Sequence, residues 1–179
     1  KKEGQRNRAI LETLYSCGLR VSELCNLKLS DLYFEEGFIK VEGKGSKQRL
    51  VPISPRAIKE IKYWLTDRNL GKIKKGYEDY VFLARWGNNI SRIMVFHMIK
   101  ELAEKTGITK NISPHTFRHS FATHLLEGGA NLRAIQCMLG HESIATTEIY
   151  THIDRNMLRS EIIEHHPRNI KYRKERGIY

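Results

Sequence analysis

The residues best equipped for chemistry fall in the stretch from Ser113 to Tyr150, which opens Ser-Pro-His-Thr-Phe-Arg-His-Ser-Phe-Ala-Thr-His-Leu-Leu. Ser113 is a good N-cap and Pro114 suits the first helical turn, so a helix is predicted to start there. His115 and Arg118 lie three apart, one turn along, and share a face near the positive end of that helix. A guanidinium offers paired hydrogen bonds to phosphate oxygens and stays protonated, while an imidazole can exchange a proton near neutrality. Phe117, Phe121 and Leu125 fall on another stripe, which faces a core. A polar pair backed by an apolar stripe is the layout of a site resting on a packed scaffold. Beyond Gly128-Gly129, Asn131 caps a second helix with Leu132, Ile135 and Leu139 inward. Gly140 ends it and delivers His141, and Ser143 caps a short helix that carries Tyr150.

Other elements must position this stretch. Arg8 to Cys17 spaces Ile10, Leu11, Leu14 and Tyr15 on one helical face, and Gly18 is placed to close that helix in a left-handed cap. Arg20 therefore stands just past a helix end, before a short helix through Glu23, Leu24 and Leu27. With Glu23 three residues on, Arg20 reads equally as one half of a local ion pair. Phe38 to Glu42 and Gln48 to Ile53 alternate around Gly43-Lys44-Gly45-Ser46-Lys47, which predicts a β-hairpin. Its tip looks like a nucleotide-binding loop. However, Phe38 stands where that motif needs its first glycine, and Gly45 replaces the hydroxyl residue after the lysine, so no nucleotide site is supported. Lys44 is then either a solvated lysine or a mobile ammonium at a flexible tip. Ser54-Pro55 opens a helix with Ile58, Ile61 and Leu65 inward, and Ser91 to Thr106 is another, with Val95, Ile99 and Leu102 inward. Tyr80 to Leu83 is short and apolar enough for a third strand. Asp154 caps a last helix bearing Met157, Leu158 and Ile162, and from His165 the basic composition predicts a mobile tail. The fold expected is mainly helical with one small three-stranded antiparallel sheet.

His115-x-x-Arg118, Leu139-Gly140-His141 and Tyr150, nine residues after His141, together resemble the C-terminal signature of the tyrosine recombinases, the lambda-integrase and Xer group. Upstream, Gly18-Leu19-Arg20-Val21-Ser22-Glu23-Leu24 is similar to that family's first arginine motif, and Gly43-Lys44-Gly45 to its hairpin lysine. The six positions Arg20, Lys44, His115, Arg118, His141 and Tyr150 occur in the family's order, across nearly the whole chain. The resemblance implies the family's catalytic-domain fold and a metal-free, ATP-free transfer of DNA strands. It makes Arg20 and Arg118 ligands of a phosphate whose equatorial oxygens gain charge in the transition state. Removing one such donor typically costs several kcal/mol of transition-state stabilisation, on the order of 3. Glu23 becomes the orienting partner of Arg20. Tyr150 becomes the nucleophile, leaving a 3′-phosphotyrosyl link. His115 acts as general base or orients the phosphate, His141 donates a further hydrogen bond, and Lys44 protonates the departing 5′ oxygen.

Composition is consistent with this and excludes several alternatives. The 179 residues, 40% hydrophobic and 28% charged, suit one soluble globular domain. A formal net charge of +11 favours a nucleic-acid partner over a merely basic surface once the motifs are counted. No apolar run approaches a membrane span, and no secretory leader opens the chain. Cys17, Cys25 and Cys137 read as small buried apolar groups in a reducing compartment. His115 and His119 are four apart but lack the adjacent glutamate of a zinc-protease helix. Residues 1–164 are expected to form the catalytic domain and 165–179 the basic tail. The family's N-terminal core-binding domain is expected to lie outside this sequence, as part of a longer protein. The implied partners are a double-stranded DNA site and further copies of the chain in a DNA-bound tetramer, with the C-terminal helix docking on a neighbour; the implied location is the cytoplasm, at the nucleoid. A non-catalytic DNA-binding module and a type IB topoisomerase-like enzyme are the competing readings.

Overall fold

The computed structural model describes residues 2–140 and 155–177. Within them the chain forms α1 (Lys2–Cys17), α2 (Val21–Cys25), β1 (Leu32–Tyr33), β2 (Phe38–Glu42), β3 (Gln48–Pro52), α3 (Pro55–Asn69), α4 (Arg92–Lys105), α5 (Pro114–Glu127), α6 (Leu132–Leu139), α7 (Arg155–His165) and α8 (Pro167–Glu175). The helix starts follow from their caps. Ser54 accepts the Ala57 N–H, Ser91 the Met94 N–H, and Asn131 those of Arg133 and Ala134. Gly18 and Gly140 both adopt left-handed conformations, φ 65° and 68°, and close α1 and α6.

The sheet is antiparallel in the order β1-β2-β3, and Val41 pairs with Arg49 in its register. The third strand is not the one expected. Tyr80 makes only an isolated bridge to Lys28, and the segment around it is held by other partners. Val81 N–H donates to the Leu27 carbonyl, Trp64 Nε1–H to the Val81 carbonyl at 2.8 Å, and Arg68 to the Tyr80 and Glu78 carbonyls. These bonds, mostly from side chains, take the place of the ladder a strand would need. The two-residue β1 takes the third place instead.

Among the described residues two apolar clusters form the interior. The larger gathers α1, α2, the sheet, α3 and α4 around Ile10, Leu14, Leu24, Ile39, Val51, Ile61, Phe82 and Val95. The smaller joins α5, α6 and α7 through Phe121, Leu125, Ile135, Met138, Leu158 and Ile162. Leu132, expected inward, is 53% exposed at the first turn of α6. The C-terminal stripe assigned to a neighbouring subunit is met by the chain's own core: Leu158 and Ile162 are buried there, and Met157 faces solvent. The segment expected as a mobile tail is helix α8. Pro167 opens it, the His166 ring accepts the Arg168 N–H, and Arg168 pairs with Glu12 of α1. All three cysteines are free thiols, Cys17 and Cys25 buried and Cys137 half-buried. Burial pushes all three thiols up, Cys25 to about 11, which leaves them inert at neutral pH. Among the described residues no helix is long and apolar enough to cross a membrane.

Candidate active site

Arg20 is the residue before the first turn of α2, where the chain has just left the left-handed Gly18. Its side chain is 41% exposed, and the Glu23 carboxylate accepts its backbone N–H at 2.8 Å. Glu23, three residues on, is buried to 1% of its side chain and lies 3.6 Å from the Arg20 guanidinium. Such a carboxylate cannot remain charged without partners. The sequence offered Arg20 alone as its partner; the structure supplies three arginines.

The second is Arg118, on the buried side of α5. Its side chain is only 9% exposed, and its guanidinium lies 3.9 Å from Glu23. One terminal nitrogen donates to the Gly18 carbonyl and the other to the Leu139 carbonyl, each at 2.6 Å. A guanidinium carries five N–H donors, so these two bonds to described residues do not exhaust it. Burial pushes Arg118 down to about 10, helped by the charges of Arg20 and Arg49 and opposed by Glu23. It stays fully charged at neutral pH.

The third was not singled out from the sequence. Arg49, on β3, grips both Glu23 oxygens with its two terminal nitrogens, one bond measuring 3.0 Å, while its Nε–H donates to the Met138 carbonyl at 2.8 Å. Burial alone would raise the Glu23 carboxyl. The Arg49 hydrogen bond and charge, the Arg20 N–H and the Arg118 charge outweigh it and hold the group below its ordinary range. Three guanidiniums around one carboxylate leave a local surplus of positive charge, the electrostatic character of an anion site.

Around this junction are two hollows that share Arg20. One, of about 310 Å³, is lined by Leu19, Arg20, Val21, Phe96, Pro114, His115 and Arg118. The other, of about 770 Å³, runs from Arg20 and Glu23 along the hairpin to Lys44. His115 is exposed on the first turn of α5, and Lys44 is exposed at the hairpin tip. The structure therefore gathers Arg20, Glu23, His115 and Arg118, and sets Lys44 across a continuous opening from Arg20. His141 and Tyr150 lie outside the described residues. The chain reaches His141 from Gly140, directly after the two carbonyls that Arg49 and Arg118 hold. His119 is exposed on α5, and the His124 ring bonds the Tyr15 hydroxyl at 2.7 Å, away from this junction.

A basic cleft on a mainly helical scaffold, with paired arginines from α2 and α5 and a lysine on a hairpin, defines a class. The profile of the phage integrase family matches residues 1–157, and the chain belongs to that family. It is 50% identical over 163 residues to tyrosine recombinase XerD of Chlorobaculum tepidum, covering 91% of this chain and 54% of that protein. With tyrosine recombinase XerD of Pseudomonas putida the figures are 44% over 165 residues, 92% and 55%. Among solved structures, XerA recombinase superposes with a TM-score of 0.71 at 37% identity, over 91% of this chain and 59% of that one. The XerH recombinase bound to its difH substrate before cleavage gives 0.69 at 32%, over 85% and 44%. The chain thus spans little more than half the length of the two XerD relatives it matches.

Proposed function

We propose that this chain is the catalytic domain of a site-specific DNA recombinase that breaks and rejoins strands through a 3′-phosphotyrosyl intermediate. The observation that carries the reading is the convergence of Arg20 and Arg118 on one cleft, with His115 at its edge. In this reading the two guanidiniums hold the non-bridging oxygens of a scissile phosphate and offset the charge that builds there. Tyr150 attacks phosphorus as its phenolic proton leaves, with His115 as base or phosphate ligand, and His141 adds a hydrogen bond to the same oxygens. The P–O5′ bond breaks, and Lys44 returns a proton to the departing 5′ oxygen. Glu23 serves by fixing Arg20. Rejoining reverses these steps with a second strand, so the phosphodiester energy is conserved and neither ATP nor a metal is called for.

The partner is a double-stranded DNA site, and paired exchange requires several copies of the chain on that DNA, in the cytoplasm at the nucleoid. Support for a DNA partner comes from the net charge of +11 and from relatives named as recombinases, XerH among them with its substrate. The test uses a pool of nicked duplexes of randomised sequence, in which cleavage next to the nick releases a short strand and traps the protein on DNA. The expected result is a covalent adduct that survives denaturing gels, whose recovered sequences give the site. Tyr150→Phe should abolish that adduct and leave binding nearly unchanged. An adduct formed by Tyr150→Phe refutes the nucleophile. Binding without any adduct in the unsubstituted protein favours a DNA-binding module, and adducts without exchange between two sites favour a topoisomerase-like enzyme.

A further inference from the structure

Arg49 has a position that the catalytic scheme leaves unused. Its side chain is 14% exposed and makes hydrogen bonds in two directions at once. The terminal nitrogens hold the Glu23 carboxylate, and the Nε–H holds the Met138 carbonyl at 2.8 Å. One residue further along, the Leu139 carbonyl is held by Arg118 at 2.6 Å. These carbonyls belong to the last turn of α6, whose final C=O groups lack the N–H four residues on that a longer helix would supply, and which carries the negative end of the helix dipole. Two guanidiniums on consecutive carbonyls fix both the height and the rotation of that helix end. Gly140 follows with φ 68°, and a Cβ there would lie 3.2 Å from Arg49 Nε, Cδ and Cζ. The arginine is thus seated against the turn from which the chain runs on to His141.

We infer that Arg49 is a positioning residue. It ties the carboxylate that seats Arg20 to the end of α6, and so sets where the segment beginning at His141 meets the phosphate held by Arg20 and Arg118. The inference rests on the recombinase reading and deepens it. Arg49 joins α2 and β3 of the larger apolar cluster to α6 of the smaller one, across the gap in which the cleft lies. It also keeps Glu23 ionised. Among the described residues the charged groups facing Glu23 are Arg20 from the start of α2, Arg49 from β3 and Arg118 from α5, and the Gly43 backbone of the hairpin adds no charge. Removing Arg49 leaves the burial of Glu23 less opposed, so that carboxyl must titrate at higher pH.

The experiment compares Arg49→Met and Arg49→Lys with the unsubstituted protein on a nicked duplex recovered from the randomised pool. Single-turnover adduct formation is followed in both rate and final amount across pH, with DNA affinity measured separately. A reacting group misplaced by about 1 Å can cost on the order of 100-fold in rate. Arg49→Met is expected to show such a fall at nearly full final amount and near-normal affinity. Its acid limb should move to higher pH than in the unsubstituted protein. Arg49→Lys keeps the charge but not the two-way fork, so its acid limb should stay in place while its rate is intermediate. A role confined to folding would lower the final amount and leave rate and pH profile unchanged, and that result overturns the inference. An unchanged rate in Arg49→Met overturns it equally, with the recombinase reading intact. If the unsubstituted protein forms no adduct on any duplex, that reading fails and takes the inference with it.

Discussion

Gly18→Ala tests how the helix ends build the cleft. Gly18 has φ 65°, and its carbonyl receives one of the Arg118 hydrogen bonds. A side chain in this left-handed conformation costs about 1–2 kcal/mol. The space is also taken: a Cβ would lie 2.7 Å from Phe121 Cε1 and 2.8 Å from Cγ, and that ring is wholly buried. The ring must shift within a filled core, which adds about 1–3 kcal/mol. The expected loss is therefore about 2–5 kcal/mol, a large part of the roughly 5–15 available to a domain. Gly45 supplies the control, since it has φ 71° and nothing within 4 Å of its Cβ position. Gly45→Ala should cost only the backbone share. Urea unfolding read by the fluorescence of Trp64, which is buried and bonded to the Val81 carbonyl, measures both variants. Phe121 and Arg118 are one turn apart on α5, so displacing the ring should also slow adduct formation by Gly18→Ala. Equal losses for the two variants, within about 0.5 kcal/mol, would refute the packing argument.

Two further outcomes follow from single side chains. A 5′-bridging phosphorothiolate leaves without protonation, so Lys44→Ala should be slow on normal DNA and largely rescued on this substrate, while Arg118→Ala stays slow on both; equal Lys44→Ala defects would remove its acid role. His166 is buried against Tyr15, His124 and Arg168, and burial lowers its pKa from 6.5 to about 4. The unfolded chain takes up this proton first, so stability should be full above about pH 6.5 and decline by up to about 3 kcal/mol as pH falls to 4. His166→Asn should flatten that part of a denaturation-against-pH curve, and an unaltered slope would exclude His166 as its source.

Local signals were legible in the sequence, and long-range ones were not. Ser54, Ser91, Ser113 and Asn131 announced helix starts, and Gly18 and Gly140 announced ends, because caps depend on residues a few positions apart. The hairpin was legible from alternation on both sides of its glycines. Tyr80 to Leu83 was misread because its carbonyls are claimed by Trp64 and Arg68 of α3, partners that no periodicity reveals. The basic C-terminus was misread for a similar reason: Arg168 finds Glu12 across 156 residues, and His166 bonds the Tyr15 carbonyl. Arg49 escaped notice because an arginine beside a hairpin tip reads as solvated charge. Its one available signal was the lack of any near partner for Glu23 beyond Arg20.

The buried junction also bears on why a charged cluster occupies this place at all. Replacing a buried ion pair by well-packed apolar residues is often neutral or stabilising, so stability alone does not account for Glu23, Arg49 and Arg118. Their geometry does. Taken together the bonds span the two apolar clusters: Arg118 joins α5 to the turn after α1 and to the end of α6, and Arg49 joins β3 to α2 and to the same end of α6. Two apolar clusters sliding on one another would leave such a cleft ill-defined, because hydrophobic contact is non-directional. Directional bonds at the seam remove that freedom. They hold the backbone positions preceding Arg20 and His141 in fixed relation while the Arg20 guanidinium remains open to solvent. An anion can then be met by charges that are already in place, with little reorganisation left to the moment of reaction.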